Sequence, residues 1–296
     1  MKYKIAFLFL TIDDINFPQI WECYFRNVDK ELYSIYFHPK HPEKVSNEWL
    51  KKYQISNLTE TGWGFITHAY YNLMEEAYKD KLNMKFITIS ESCIPLRTFK
   101  SLYKQLLIKD DIRTSYIKFM NITNYDLNER IKTNQGWEKY KFVKHYARFS
   151  LSRYHVEILM KHKDDFIFFN SMHVGDEFFL SLLQPFDYVE DREITYDNWE
   201  YVRELRKEYN NKIGYLYKKM ETNEMTTKNK EQIKKEIHEL KKERDDISKN
   251  PKSYYEITKC DIQDVKKHKE SFFWRKFPKT SDIMKYYDID RLCGKK

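Results

Sequence analysis

The segment Lys85–Leu96, KFITISESCIPL, decides the fold. Its first five residues, KFITI, are rich in β-branched and aromatic side chains and read as a buried strand. Ser90, Glu91 and Ser92 then end the apolar run in polar side chains, and Pro95 locks the turn that follows. This polar strand end is either a place where a ligand is held or an ordinary strand-to-loop turn with a serine cap.

Upstream, Ile5–Leu10 (IAFLFL) is a second buried strand that ends at Thr11, followed by the polar turn Asp13–Asn16. Gln19–Phe25 has the apolar spacing of a short amphipathic helix, and Leu32–Phe37 (LYSIYF) is another strand. A loop carrying His38, Pro39, His41 and Pro42 comes next, and Ala69–Tyr78 repeats apolar residues at helical spacing. The order strand, helix, strand, helix, strand predicts a mostly parallel sheet with crossover helices, an α/β architecture. Such sheets bind ligands at the carboxyl ends of their strands, which singles out Thr11, His38, Ser90 and Glu91.

Downstream, Leu102–Leu107 reads as the end of a helix and Ser115–Phe119 as a strand, while residues 121–140 are polar and irregular. Phe149–His162 and Asp176–Leu183 are expected to be helical, and Ile194–Tyr196 to form a short strand before Trp199. Residues 202–249 change character, with Lys, Glu and Asn dominating thinly spaced apolar positions. Two charged helices joined near Glu221–Thr227 are expected, ended by Asn250-Pro251. The reading is a single domain over 1–296 with this hairpin inserted at 202–249.

Composition agrees with a globular chain. The 296 residues are 41% hydrophobic and 33% charged, with only 6 Gly and 7 Pro, which excludes collagen-like and low-complexity classes. The net charge is +8, but residues 202–252 hold 15 Lys/Arg against 10 Asp/Glu and so carry most of it. The remainder is close to balanced, so a general nucleic-acid binder is not expected. The four cysteines, Cys23, Cys93, Cys260 and Cys293, are scattered without a C-x-x-C pair, which suggests reduced thiols and argues against a zinc site. No apolar run approaches the roughly 20 residues of a membrane span, and the first is too short for a signal peptide. A soluble, intracellular protein is expected.

The chain lacks G-x-x-x-x-G-K-[ST], G-x-G-x-x-G and G-x-S-x-G. Two segments carry chemistry instead. In His173–Glu177 (HVGDE), Asp176 and Glu177 stand before an apolar run, as helix-dipole partners or with one carboxylate acting as a general base. In Ser271–Pro278 (SFFWRKFP), Arg275 and Lys276 lie among aromatics, suited to a diphosphate or forming a solvated pair beside a buried strand. The one literal D-x-D, Asp288–Asp290, lies seven residues from the C-terminus, far from where a metal-binding pair is expected. Asp13-Asp14 is an alternative metal candidate or a loop cap.

Taken in order, these segments resemble the core-2/I-branching β-1,6-N-acetylglucosaminyltransferases and their plant and viral relatives, which include the peptide O-xylosyltransferases. The resemblance runs through KIAFLFLT, PQIWECYF and LYSIYFHPKHP, then Trp63-Gly64 and FITISESCIPLRTF. It continues through FSLSRYHVEIL around Arg153, HVGDEFFLSLL, ITYDNWEY and SFFWRKFP. It implies a GT-A-type, Rossmann-like fold and an inverting, metal-independent transfer from a UDP-sugar, most simply GlcNAc, to an acceptor hydroxyl. No cofactor or metal is then expected beyond the donor itself.

By the same resemblance Glu177 is the catalytic base, and Lys276 with Arg275 is the basic group at the donor diphosphate. The resemblance also sets Trp199 and Tyr201 as aromatics lining the acceptor site, with Asp176 expected beside them, while Thr11, His38, Ser90 and Glu91 are expected to contact the donor from their place at the strand ends. Lys252 and Lys259 are candidates for a second diphosphate cation. UDP-xylose is the alternative donor, and a non-catalytic module using the basic hairpin to bind a partner is the alternative class. The chain departs from anchored, disulfide-rich animal members and looks like a version from large DNA viruses or bacteria. The hairpin is either passive or a surface for a second copy of the chain.

Overall fold

The computed structural model describes residues 2–221, 227–247 and 250–288. Strand β1 (Lys4–Thr11) leads to helix α1 (Pro18–Arg26), β2 (Tyr33–Pro39), the single turn α2 (Glu48–Lys51), helix α3 (Thr67–Tyr78) and β3 (Asn83–Ser90). β1 pairs in parallel with both β2 and β3, so it is interior to the sheet. Its side chains alternate between two cores, as the two-residue period of a strand requires. Ala6, Leu8 and Leu10 pack with Ala69, Tyr70 and Leu73 of α3. Ile5, Phe7 and Phe9 pack on the other face with Trp21, Tyr24 and Phe25 of α1. A strand apolar at every position is therefore one with a helix on each face.

The chain continues through β4 (Ile94–Pro95), α4 (Phe99–Lys104), β5 (Ser115–Ile117), β6 (Phe119–Met120), β7 (Lys144–His145) and β8 (Ser150–Ser152). Helices α5 (Arg153–Met160) and α6 (Lys163–Ser171) precede β9 (Val189–Asp191) and β10 (Thr195–Asp197). Helices α7 (Trp199–Met220), α8 (Thr227–Ile247) and α9 (Lys259–Lys267) and strand β11 (Phe273–Arg275) complete the named elements. The main sheet has six strands in the order β2-β1-β3-β8-β5-β9, mostly parallel, with β8 antiparallel to both its neighbours. This is the mixed α/β architecture of a GT-A-like fold. A second sheet, β10-β11-β4, and the β6-β7 pair lie outside it.

Several boundaries differ from the sequence reading. Phe149–His162 is not one helix: Ser150–Ser152 is β8, wedged between β3 and β5. Ser152 then caps α5 by accepting the His155 backbone N–H. Asp176–Leu183 forms two 3₁₀ turns, Gly175–Glu177 and Phe179–Leu183, because Val174 is left-handed and the segment is pinned elsewhere. Helix α4 continues into a π turn at Gln105–Lys109. Arg153 donates to the carbonyls of Tyr78, Asp80 and Asn83 and so ties the start of α5 to the connection between α3 and β3. Cys93 and Cys260 are free, but Cys23 is disulfide-bonded, contrary to the expectation of four reduced thiols. Among the described residues no helix is long and apolar enough to cross a membrane.

In the hairpin, α7 and α8 pack through Ile213, Leu216, Ile233 and Ile237, with Met220 and Leu240 beside them. α7 starts three residues earlier than the charge pattern suggests. Asn198 caps it by accepting the Tyr201 N–H, so Trp199 and Tyr201 sit in its first turn.

Candidate active site

The carboxyl end of the main sheet is held against the C-terminal part of the chain by backbone bonds. Asn16, after β1, donates its N–H to the Glu91 carbonyl at 2.9 Å and its side-chain amide to the Phe277 carbonyl at 2.6 Å. Phe277 N–H donates to the Ser92 carbonyl at 3.1 Å, and the Lys276 carbonyl accepts from Tyr254 at 2.9 Å. The parallel pairing of β10 with β11 sets Arg275 opposite Asp197. The polar strand end and the SFFWRKFP segment, 180 residues apart, are thus brought to one place.

Arg275 and Asp197 form an ion pair at 3.3 Å, with Asp197 only 3% exposed. Burial pushes the Asp197 carboxyl up, and Arg275 and Arg148 pull it back. Lys276 donates to Asn250 at 2.8 Å. Burial and the neighbouring Arg275 hold its ammonium below the usual lysine value, while Glu91 raises it. Arg148 joins the same cluster. It donates to the Tyr70 hydroxyl and the Ala147 carbonyl, both at 2.8 Å, and lies within electrostatic reach of Asp197 and Glu91. Three cations therefore converge where the resemblance implies a diphosphate. The Nε atoms of Arg148 and Arg275 are buried with no hydrogen-bond partner in the protein.

The second half of the site is the His173–Glu177 segment. Gly175 is required there by space, since a Cβ would lie 1.7 Å from the Phe169 carbonyl oxygen. Val174 N–H donates to the Gly64 carbonyl at 2.8 Å, and Gly64 has φ of +79°, which suits glycine. This fixes the turn that presents Asp176 and Glu177. Asp176 is 6% exposed and one of its oxygens, Oδ1, is unpartnered. Burial and then the Glu177 charge push its carboxyl up to about 7, against the pull of Arg148. The Glu177 carboxyl is also raised by burial, while Lys144 and Arg130 draw it down.

Lys144 Nζ is 3.6 Å from Glu177 Oε2 and 2.9 Å from both oxygens of Asp126, which also accepts from Arg130 at 2.8 Å. Arg148 reaches Asp176 electrostatically from the cation side, so the two halves adjoin. Tyr146 lies between them, its hydroxyl pushed up to about 12 by burial, with Glu193, Asp197 and Glu177 nearby.

Trp199 sits two residues after Asp197, its indole N–H buried without a partner. Tyr201 lies under Lys252, whose ammonium is 4.8 Å from the ring centre. Lys252 is occupied by Asp261 at 2.5 Å. The strand-end residues differ in accessibility. Ser90 bonds Ser92 and Cys93 within the turn. Thr11 donates to the Asp13 carbonyl. His38 is fully buried and its Nε2 accepts the Thr59 N–H at 3.0 Å, so it is a core group at the strand end rather than a surface one. Asp14 accepts from Ser46 and Asn47, the loop-cap alternative, and Asp13 pairs with Lys279 at 2.7 Å. Asp288–Asp290 lies mostly outside the described residues.

Arg148, Lys144, Asp126 and Tyr146 did not stand out in the sequence. The one signal for Lys144, Tyr146 and Arg148 is that polar residues interrupt the aromatic run KYKFVKHYARF before a strand, which does not by itself reveal their partners, and Asp126 lies in a polar stretch with no such signal.

An α/β domain with a buried and a half-buried carboxylate side by side and a cation cluster at its sheet's carboxyl end has the makings of a group-transfer enzyme. Residues 5–240 match the model of the Core-2/I-Branching enzyme family, and the chain belongs to that family. It is also similar to Glycosyltransferase BC10 of Oryza sativa subsp. japonica, 26% identical over 111 residues. That match spans 35% of this chain and 28% of the rice protein's length. A solved structure, the crystal structure of A197 from STIV, matches over 52% of this chain and 67% of that one at 10% identity. Its TM-score to this chain is 0.26.

Proposed function

We propose that the protein is a glycosyltransferase that moves a sugar, GlcNAc in the leading reading, from a UDP-sugar to an acceptor hydroxyl with inversion and without a metal ion. Family membership supports the transferase class. The observation that carries the finer reading is the convergence of Arg148, Arg275 and Lys276 beside the buried Asp176 and the half-buried Glu177.

Glu177 is the base. Its carboxylate takes the proton from the acceptor hydroxyl as that oxygen attacks the anomeric carbon, and the bond from that carbon to the UDP oxygen breaks. The raised carboxyl makes a stronger base than an exposed glutamate, and Lys144 keeps enough of it ionised to act. Negative charge grows on the departing diphosphate. Lys276 and Arg275 stabilise it from fixed positions, with Arg148 behind them, the role a divalent ion plays elsewhere. Trp199 offers an apolar face to the acceptor ring and Tyr201 a hydroxyl beside it.

The test is UDP release across UDP-GlcNAc, UDP-xylose and other UDP-sugars with EDTA present, with Glu177→Gln as control. Turnover of one donor that survives EDTA and is lost in the variant supports the reading. Donor turnover abolished by EDTA overturns metal independence, and no donor turnover in any condition overturns the transferase reading.

A further inference from the structure

Two adjoining cavities open on the reverse face of β11. Successive side chains of a strand face opposite ways, so Arg275 meets Asp197 while Trp274 lines the wall of a cavity of about 420 Å³. A second cavity of about 260 Å³ lies beside it, and Arg97, Ser101 and Lys269 line both. Neither is lined by Asp176, Glu177, Arg148, Arg275 or Lys276, so the pair is separate from the candidate active site.

The smaller cavity is polar and holds two guanidiniums. Arg192 is 13% exposed, stacks over Tyr116 at 4.7 Å and Phe272 at 5.0 Å, and donates to the Glu270 carbonyl at 2.7 Å. Its Nε is buried with no hydrogen-bond partner in the protein, and the Glu190 and Glu270 carboxylates approach the guanidinium only to 4.0 Å, beyond bonding reach. Arg97 makes one hydrogen bond among the described residues, from Nε to the Ser271 carbonyl at 3.1 Å. Arg192 is close enough to repel its charge. Two like charges brought together, one with a buried donor left open, cost free energy unless an anion joins them. The charged side chains lining the two cavities favour an anion as well: Arg97, Arg192, Lys266 and Lys269 stand against Glu270 and Asp288. The larger cavity adds apolar walls from Leu96, Ile262, Val265, Trp274 and Ile283. Its volume falls within the roughly 300–1,000 Å³ of small-molecule sites.

The geometry points to a binding site for a phosphomonoester with an apolar or aromatic body, distinct from the donor site. Its head lies among Arg97, Arg192 and Lys269, which come from three separate segments after β4, β9 and α9. Three cations match the three free oxygens of a phosphomonoester better than the two of a carboxylate, and each guanidinium can bind two of them. The esterified group fills the apolar cavity next door. A soluble aromatic phosphate and a lipid phosphate present the same head to these cations and differ only in the body.

The experiment is isothermal titration calorimetry of the full chain in excess UDP, with inorganic phosphate, phenyl phosphate and decyl phosphate as probes. The UDP keeps the probes off Arg148, Arg275 and Lys276. Wild type is expected to bind phenyl or decyl phosphate about tenfold more tightly than inorganic phosphate, from the apolar area removed from water. Arg97→Met should weaken all three probes about tenfold by removing a charge-assisted contact. Val265→Phe, which fills the apolar cavity, should weaken the two esters and leave inorganic phosphate unchanged. Tighter binding of decyl phosphate assigns a lipid source, and tighter binding of phenyl phosphate a soluble aromatic one. A wild type that binds no probe in excess UDP, or an affinity unchanged by Arg97→Met, overturns the site. Equal affinity for the three probes overturns the apolar body.

Discussion

Lys144 holds its ammonium 3.6 Å from the Glu177 carboxylate while both oxygens of Asp126 bind it at 2.9 Å. The lysine is shared between a buried counter-ion and the proposed base, so it tunes Glu177 without neutralising it. Removing it should free Glu177 to rise further, since Lys144 is the largest influence lowering that carboxyl. A base must be ionised, so activity falls as pH drops through its pKa. The acidic limb of kcat/KM in wild type is expected above the ordinary carboxylate range of about 4.3. Lys144→Met should move it upward again, whereas Glu177→Gln should lose about 10²–10⁴ in rate at every pH. A Lys144→Met profile superimposable on wild type would refute the coupling.

Asp176 sets a stability dependence of the opposite sign to that of a salt-bridged acid. Its folded carboxyl is pushed up to about 7 by burial, from 3.8. The native state therefore prefers the protonated form. The associated stability is present in full below the unfolded pKa and is lost as pH rises through about 7. Asp176→Asn removes that loss, so its Tm should exceed that of wild type at pH 8 and approach it at pH 4. Thermal melts of both proteins across this range decide the matter. A wild-type advantage that grows with pH would contradict the burial argument.

Arg275 and Lys276 are adjacent but not equivalent. Arg275 pairs with an aspartate that is almost wholly buried, so Arg275→Met leaves Asp197 without its counter-ion at a cost of about 3–5 kcal/mol. Arg275→Met with Asp197→Asn should recover part of that stability. Lys276→Met breaks only a bond to Asn250 and should change stability little. It should instead weaken donor turnover by stabilising the departing diphosphate less. Denaturant unfolding and UDP release on the four proteins separate the two roles.

Gly175→Ala is expected to be far more damaging than a helix-interior Gly→Ala change. The new methyl would lie 1.7 Å from the Phe169 carbonyl, and backbone on both sides must shift. Displacement of the neighbouring Asp176 and Glu177 should abolish turnover even if the chain still folds, and circular dichroism with an activity assay would distinguish the two.

Much of this arrangement was legible in the sequence. The three strands of the first 90 residues were readable because β1 is apolar from Ile5 to Leu10 and because β2 and β3 are rich in β-branched and aromatic residues. Glu177, Arg275 and Lys276 could be singled out because each lies in a short segment whose neighbours are strongly apolar. β8 was missed because Ser-Leu-Ser has only one apolar residue. Its strand state comes from neighbours on both sides, β3 and β5, not from its own propensity. The 3₁₀ turns at 175–183 were misread as a helix because apolar spacing cannot register the steric contact of Gly175 with Phe169.

The sequence by itself determined the α/β class, the crossover order and the residue types available for proton and phosphate chemistry, since these follow from local periodicity and side-chain identity. Only the tertiary structure decided which charges meet. It joined Asn16, Ser92 and Phe277 across the chain, set Arg275 against Asp197, and brought Arg148 towards both. It also placed Lys144 between Asp126 and Glu177 and tied Gly64 to Val174 in the His173–Glu177 segment. Burial and charge proximity are properties of the packed chain, and no sequence spacing encodes contacts whose partners stand anywhere from 18 to 261 positions apart.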